Sequence, residues 1–307
     1  MSSRLADWLH GVRQGVADAT PRAAAFAQHV LVLPTTRSTN DDVARAAIEG
    51  APEGYTVIAA EQTAGRGRRG AAWHSPAADG LYLSTLLRPD RWGAVRDDIA
   101  SPAPGLITLM AGVAVVRAIG EVCDAPVELK WPNDVMVRSS SRRGPRPPHG
   151  VAVPSVPDDD PPWRKLAGIL AEGASDGGVL RTVVLGIGLN LRASRAPDDV
   201  ARRMVSLADL CGEAQAPPVG AIVAALLVQL RDGCLQLARG ACTTVRDEWC
   251  ALAPSVDDAI VRWHHQGVTR RGRSLGIDPA GALRVCTDDG QHVTVHGGDV
   301  EWLLDES

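Results

Sequence analysis

Lysine is almost missing from this 307-residue chain: of 32 basic residues only Lys130 and Lys165 are lysines, and the rest are arginines. Two lysines that survive such a bias mark places needing a compact ammonium with three rotatable donors rather than a planar fork. Metal-binding cysteine spacing is missing too. Cys123, Cys211, Cys234, Cys242, Cys250 and Cys286 are widely spaced, with no CxxC and no histidine at ligand spacing, so neither a zinc site nor a disulfide framework is expected. There is no excess of positive charge. A net charge of −4 gives no support to a general nucleic-acid-binding surface and makes any basic feature local. No signal-peptide core is legible, since Arg4, Asp7 and Arg13 interrupt the N-terminal apolar residues. The apolar run 106–119 contains Arg117 and reads as too short to span a bilayer. A cytoplasmic protein without membrane or DNA partners is expected.

What is present is ordinary in bulk, at 45% hydrophobic and 22% charged residues, and the length fits one large domain or two unequal ones. The distinctive stretch is Glu61-Gln62-Thr63-Ala64-Gly65-Arg66-Gly67-Arg68-Arg69-Gly70, running on to Trp73-His74-Ser75-Pro76. Its glycines free the backbone, and its arginines grip phosphate or carboxylate through paired hydrogen bonds. Gly65, Gly67 and Gly70 match GxGxxG, but Pro76 denies the helix that a dinucleotide fingerprint needs at this point. HRD and DFG partners of a kinase loop are absent, as is GxxxxGK[ST].

In chain order, 1–28 reads as one amphipathic helix broken at Pro21, and 27–33 as a strand. Ser38-Thr39-Asn40 reads first as a helix cap, with Ser38/Asp41 or Thr39/Asp42 at capping-box spacing, before a helix that stops at Gly50. Strands are expected at 55–61 and 81–87, and a buried helix at 105–122. Within 127–137 two short strands flank Trp131-Pro132-Asn133-Asp134, a turn signal. Lys130, Asn133 and Asp134 also make a phosphate-and-magnesium corner. Seven prolines fall in 139–163, which reads as a disordered surface insertion between two strands. Beyond it, 165–172 and 182–191 pair as strands, and Gly186 and Gly188 permit close approach of a ligand. Helices are expected at 200–210, 219–237 and 242–252. Short strands at 259–263, 268–277, 282–286, 292–295 and 300–303, with tight turns, read as a small barrel. The expected architecture is α+β, a mixed β-sheet with helices packed on it over 1–254, plus an SH3-like barrel over 255–307.

Six motifs then fall in order: Ser38-Thr39-Asn40, the 61–70 loop, Trp73-His74-Ser75-Pro76, Lys130-Trp131-Pro132-Asn133-Asp134, Lys165-Leu166-Ala167-Gly168-Ile169-Leu170, and Gly186-Ile187-Gly188-Leu189-Asn190. With the terminal barrel they resemble the biotin protein ligases over roughly 35–305. The resemblance implies a catalytic domain like that of class II synthetases and biotin/lipoate ligases. It implies formation of biotinyl-5′-AMP from biotin and Mg-ATP, then biotinyl transfer to a lysine of the biotin carboxyl carrier domain of an acyl-CoA carboxylase. By position, Ser38, Thr39, Asn40, Gln62, Gly65, Arg66, Gly67, Arg68, Lys165 and Gly168 would meet biotin. Arg66, Arg68, Arg69, Trp73, Lys130, Asn133 and Asn190 would meet ATP, and Asp134 would lie near Mg2+. Lys165, Arg68 and Lys130 would carry the catalysis. The alternatives are a lipoate or octanoate ligase and a non-catalytic biotin-sensing regulator. The short N-terminus leaves no room for a helix-turn-helix. Three departures stand out: the proline-rich insertion precedes Lys165, no tryptophan occurs between Asn190 and Trp249 to stack on adenine, and Leu275 stands where arginine is common in the family, with Arg273 nearby.

Overall fold

Short β-branched runs in the first 190 residues assemble into one seven-stranded sheet. The computed structural model describes residues 2–92, 102–138, 163–194, 196–265, 267–298 and 300–303. The strands are β1 (Val30–Leu33), β2 (Thr56–Ala59), β3 (Gly80–Leu87), β4 (Glu128–Lys130), β5 (Asp134–Arg138), β6 (Trp163–Asp176) and β7 (Val179–Asn190). Their spatial order is β1-β2-β3-β7-β6-β5-β4. β1 and β2 run parallel, and every other neighbouring pair is antiparallel. β3 is buried at all eight positions, as expected of a central strand covered on both faces.

The insertion expected at 139–163 lies outside the described residues except for Trp163. Its two ends nevertheless meet in the sheet, where Arg138 and Trp163 are register partners and the Arg138 guanidinium lies 4.8 Å over the Trp163 ring.

Of two long apolar helices, α4 (Pro104–Val122) packs on β4, β5 and β6, and α7 (Val219–Ala238) packs on α4. By length and apolarity each is sufficient to cross a bilayer, contrary to the reading of 106–119 as too short. Most of each stretch is buried inside the protein. The N-terminal helix α1 (Ser3–Ala23) continues through Pro21 and ends at Ala24, where φ is +47°. Buried Ala19 and Ala23, one turn apart on the packed face, outweigh the single hydrogen bond that proline removes. Against α7 its backbone makes direct contact: a Cβ on Gly15 would lie 2.2 Å from the Gly220 carbonyl oxygen. A short helix α2 (Ala25–Gln28) then occupies the start of the expected strand, leaving only Val30–Leu33 as β1.

Between β7 and α7 the structure departs from the expected helix at 200–210. Only α5 (Asp198–Ala201) and α6 (Leu207–Cys211) are helical there. The intervening backbone pairs with Lys165 instead: Lys165 N–H donates to the Arg203 carbonyl at 2.7 Å, and Val205 N–H to the Lys165 carbonyl at 3.0 Å. Ser206 starts α6 with a capping box to Asp209, a local signal that competes with continuing the helix. Helix α8 (Cys242–Ala251) completes the helical layer.

The remainder folds as β8 (Asp257–His265), β9 (Val268–Ile277), β10 (Leu283–Thr287), β11 (His292–Val295) and β12 (Val300–Leu303). They form an antiparallel sheet ordered β11-β10-β9-β8-β12. It is pinned to the first sheet, because Trp131 Nε1–H donates to the Gly281 carbonyl at 2.9 Å. Val261, Leu283 and Val285 belong to the same continuous apolar core as Leu109, Met110 and Trp131. All six cysteines are free thiols.

Candidate active site

The glycine–arginine segment leaves the C-terminal end of β2 and returns as Trp73-His74-Ser75. Its only helical turn is a three-residue 3₁₀ turn, Arg68–Gly70, with Arg69 at φ 54°. No helix opens at the GxGxxG match. Beneath the loop lies a cleft of about 660 Å³ lined by residues from all six motifs.

One wall is the start of α3 (Thr39–Ile48), capped by Ser38, whose side chain accepts from Asp41 N–H at 3.4 Å. The Ser38/Asp41 capping reading is therefore the observed one, and the same turn presents the next two side chains to the cleft. Thr39 N–H and Oγ1 both donate to Gln62 Oε1, at 2.9 and 3.1 Å. Gln62 Nε2 in turn donates to Ser75 Oγ at 3.0 Å. Asn40 Oδ1 lies 2.6 Å from buried Ser84 Oγ. Ser38, Thr39, Asn40, Ser75 and Ser84 are almost fully buried, Gln62 is partly buried, and all are hydrogen-bonded, so they form a preset polar surface rather than a collapsed one.

The floor is made by glycines beneath an indole. A Cβ on Gly188 would lie 2.5 Å from the Trp73 ring, and one on Gly168 would lie 2.9 Å from both that ring and Lys165 Cε. A Cβ on Gly65 would meet Ser75 Oγ at 2.6 Å. Lys165 Nζ stands 5.1 Å over the Trp73 ring and 2.6 Å from Asp134 Oδ1. Its aim depends on a bulge. Val135 pairs with Ala167, but Met136 pairs with Lys165, skipping Leu166. Side chains alternate along a strand, so without the extra residue Lys165 would point away from Gly168 and Asp134. Asn190 Nδ2 fixes the same backbone, donating to the Lys165 carbonyl at 3.1 Å and the Val205 carbonyl at 3.2 Å.

The arginines divide their work. Arg66 makes a bidentate pair with Glu172, both N···O distances 2.9 Å, and reaches Asp41 at 2.7 Å. Arg68 donates to Asn133 Oδ1 at 3.1 Å and to the Gly298 carbonyl at 3.3 Å, on the turn after β11. Asn133 Nδ2 donates to the Ile169 carbonyl at 2.8 Å.

Ser38, Thr39, Asn40, Gln62, Gly65, Arg66, Gly67, Arg68, Trp73, Asn133, Asp134, Lys165, Gly168 and Asn190 thus converge on one cleft. Lys130 and Arg69 are not among its lining residues. Lys130 sits on β4 as the register partner of Asp134, and Arg69 is exposed, its guanidinium close to Gly298. Arg273 bonds the Asp258 carbonyl at 2.9 Å and does not line the cleft either. Reading the sequence missed Ser75 and Ser84 as hydrogen-bond partners, Met204 as a lining residue, and Glu172. Of these only Ser75 lay within a motif, and Glu172 ended the strand expected at 165–172.

The pattern of the biotin/lipoate A/B protein ligase family matches residues 32–190, and that of the biotin protein ligase C-terminal domain matches 265–302. The Mycobacterium tuberculosis protein named biotin–[acetyl-CoA-carboxylase] ligase is 33% identical over 277 residues, 89% of this chain and 88% of its own. A bifunctional ligase/repressor of Bacillus subtilis is 28% identical over 284 residues, 91% of this chain and 76% of its own. Among solved structures, the biotin protein ligase of Aquifex aeolicus in complex with biotin and ATP superposes with a TM-score of 0.66 at 20% identity, covering 91% of this chain and all of that one. That likeness speaks for the fold, while the sequence matches reach the cleft itself. The chain belongs to the biotin/lipoate A/B protein ligase family.

Proposed function

We propose that this protein is a biotin protein ligase whose reaction takes place in the cleft beneath the 61–70 loop. Biotin and ATP are its substrates, and the lipoate-ligase and non-catalytic readings are set aside. The observation that carries the assignment of residues is the meeting of Lys165, Asp134, the arginine loop and the Ser38–Asn40 turn around one cavity.

In the first step an oxygen of the biotin carboxylate attacks the α-phosphorus of ATP. The bond to the β-phosphate oxygen breaks, and pyrophosphate leaves. Two anions must approach each other, so the step is limited by charge and position rather than by a covalent enzyme intermediate. The Lys165 ammonium, on the cleft floor beside Gly168, is suited to the junction of carboxylate and phosphate. Arg68, which lines the cleft beside Asn133, is suited to carry positive charge to the phosphates, whereas Arg66 is committed to Asp41 and Glu172 and offers the cleft its backbone. In the second step the amine of a carrier-domain lysine attacks the biotinyl carbonyl, AMP departs and the amine loses a proton.

Magnesium fits the corner through a single carboxylate. Mg2+ keeps most of its waters and travels on nucleotide phosphates, so it asks little of the protein. Among the described residues no cluster of three His, Cys, Asp or Glu is present, and Asp134 would hold the ion, which neutralises phosphate charge when bound. The acceptor we infer is a biotin carboxyl carrier domain of an acyl-CoA carboxylase. Dependence on ATP and six free thiols support a cytoplasmic location. Residues 1–254 and 255–307 are assigned as the catalytic and C-terminal units. Incubating the protein with labelled biotin, ATP, magnesium and a carrier domain tests the reading. Labelled carrier is expected, and a folded, biotin-saturated preparation that makes no biotinyl-AMP would sink it.

A further inference from the structure

Glu172 stands on β6 and does not line the cleft, yet two of the cleft's polar groups end on its carboxylate. Asn40 Nδ2 donates to Oε2 at 2.7 Å. The Arg66 guanidinium donates to Oε1 and Oε2, each at 2.9 Å. These are different parts of the site: Asn40 belongs to the first turn of α3, and Arg66 to the loop that covers it.

Asn40 is 5% exposed and lies against bare backbone, since a Cβ on Gly186 would come within 2.2 Å of its Oδ1. Its amide has a donating and an accepting end of nearly equal size. Ser84 Oγ serves either end, because a hydroxyl both donates and accepts. An ionised carboxylate only accepts, so Glu172 decides that Nδ2 faces β6 and Oδ1 faces Ser84. The same carboxylate matches the planar fork of Arg66, a geometry that fixes orientation as well as charge. Asp41 adds a second acceptor, 2.7 Å from Arg66.

We propose that Glu172 is a positioning residue for biotin. It sets the Asn40 amide and tethers the Gly65–Gly67 backbone, through Arg66, in the arrangement the biotin ring system meets. It touches no reacting atom. The inference rests on the reading of this cleft as the biotin site and deepens it.

Glu172→Gln tests this, because the amide keeps the size of the side chain but replaces one acceptor with a donor. The expected result is a rise of about tenfold or more in KM for biotin, with KM for ATP and kcat within about threefold. Glu172→Asp, one methylene shorter but still anionic, is expected to fall between wild type and Glu172→Gln. A second readout needs no activity: trypsin cleavage after Arg66, Arg68 and Arg69 should be faster in Glu172→Gln, as the tether is gone. If Glu172→Gln does not fold, Glu172→Asp carries the test, with a smaller rise in KM for biotin and the same unchanged KM for ATP. Unchanged KM for biotin, an equal rise for biotin and ATP, or unchanged tryptic cleavage would overturn the proposal. A wild-type protein that makes no biotinyl-AMP points instead to failure of the functional reading, and the tryptic comparison still decides the tether.

Discussion

Asp134 Oδ1 has no hydrogen-bond partner among the described residues beyond its 2.6 Å ion pair with Lys165. The pair is thus free to separate when phosphate competes for the ammonium. Trp73 supplies the complementary apolar surface, resting on Gly188 and Gly168. Gly188→Ala inserts a methyl where only 2.5 Å is available, so the indole must move. Steady-state kinetics should show KM for biotin rising by about tenfold, and an unchanged KM would remove Trp73 from the pocket wall. The thiols behave differently. Burial pushes Cys123 up to about 12, helped by its hydrogen bond with Cys211, and raises fully buried Cys234 well above its ordinary value. A raised thiol pKa means little thiolate at pH 8. Iodoacetamide at that pH should therefore leave both unmodified in the folded protein, as mass spectrometry would show, and rapid alkylation of either would contradict the packing. At this scale the sequence was informative where chemistry is concentrated. Two lysines in an arginine-rich chain stood out, and Lys165 lies in the cleft. Lys130 was read with it from its place in the Lys130–Asp134 motif; it is the register partner of Asp134 and is not among the residues that line the cleft.

The loop and the elements beneath it act as units. Arg68 bridges Asn133 and the Gly298 carbonyl, tying the loop to both sheets. Arg68→Gly removes that bridge and a charge, so biotinyl-AMP is expected to escape about tenfold faster in a filter-release assay. Unchanged retention would count against the loop as a lid. In the helical layer, α1 and α7 meet backbone to backbone at Gly15 and Gly220. Gly15→Val would force them apart at a cost of about 1–3 kcal/mol, measurable as a lower denaturation midpoint, and an unchanged midpoint would refute the contact. Strand alternation and the Ser38 cap were legible because they are local. The break at 202–206 was not, because it comes from pairing with Lys165, some forty residues away in sequence and invisible to helical periodicity. The bulge that aims Lys165 was hidden for the same reason: register belongs to two strands at once.

For the whole molecule, the two sheets share one core, with Val261, Leu283 and Val285 packed into the cluster that holds Met110 and Trp131. Calorimetry should therefore record a single unfolding transition, and two resolved transitions would contradict a shared core. The mixed sheet and the terminal antiparallel sheet were both foreseeable from patterning and turns. Their junction was not, since it depends on the Trp131 indole finding the Gly281 carbonyl across the chain. At the centre of the cleft, the role we propose for Lys165 is to serve the carboxylate–phosphate junction. Its most direct measurement is the rate of biotinyl-AMP formation from labelled biotin and Mg-ATP by the wild type and by Lys165→Ala. A readily measured rate is expected for the wild type and a fall of about a hundredfold or more for the variant, whereas a variant that forms the adenylate at the wild-type rate would contradict this role for Lys165.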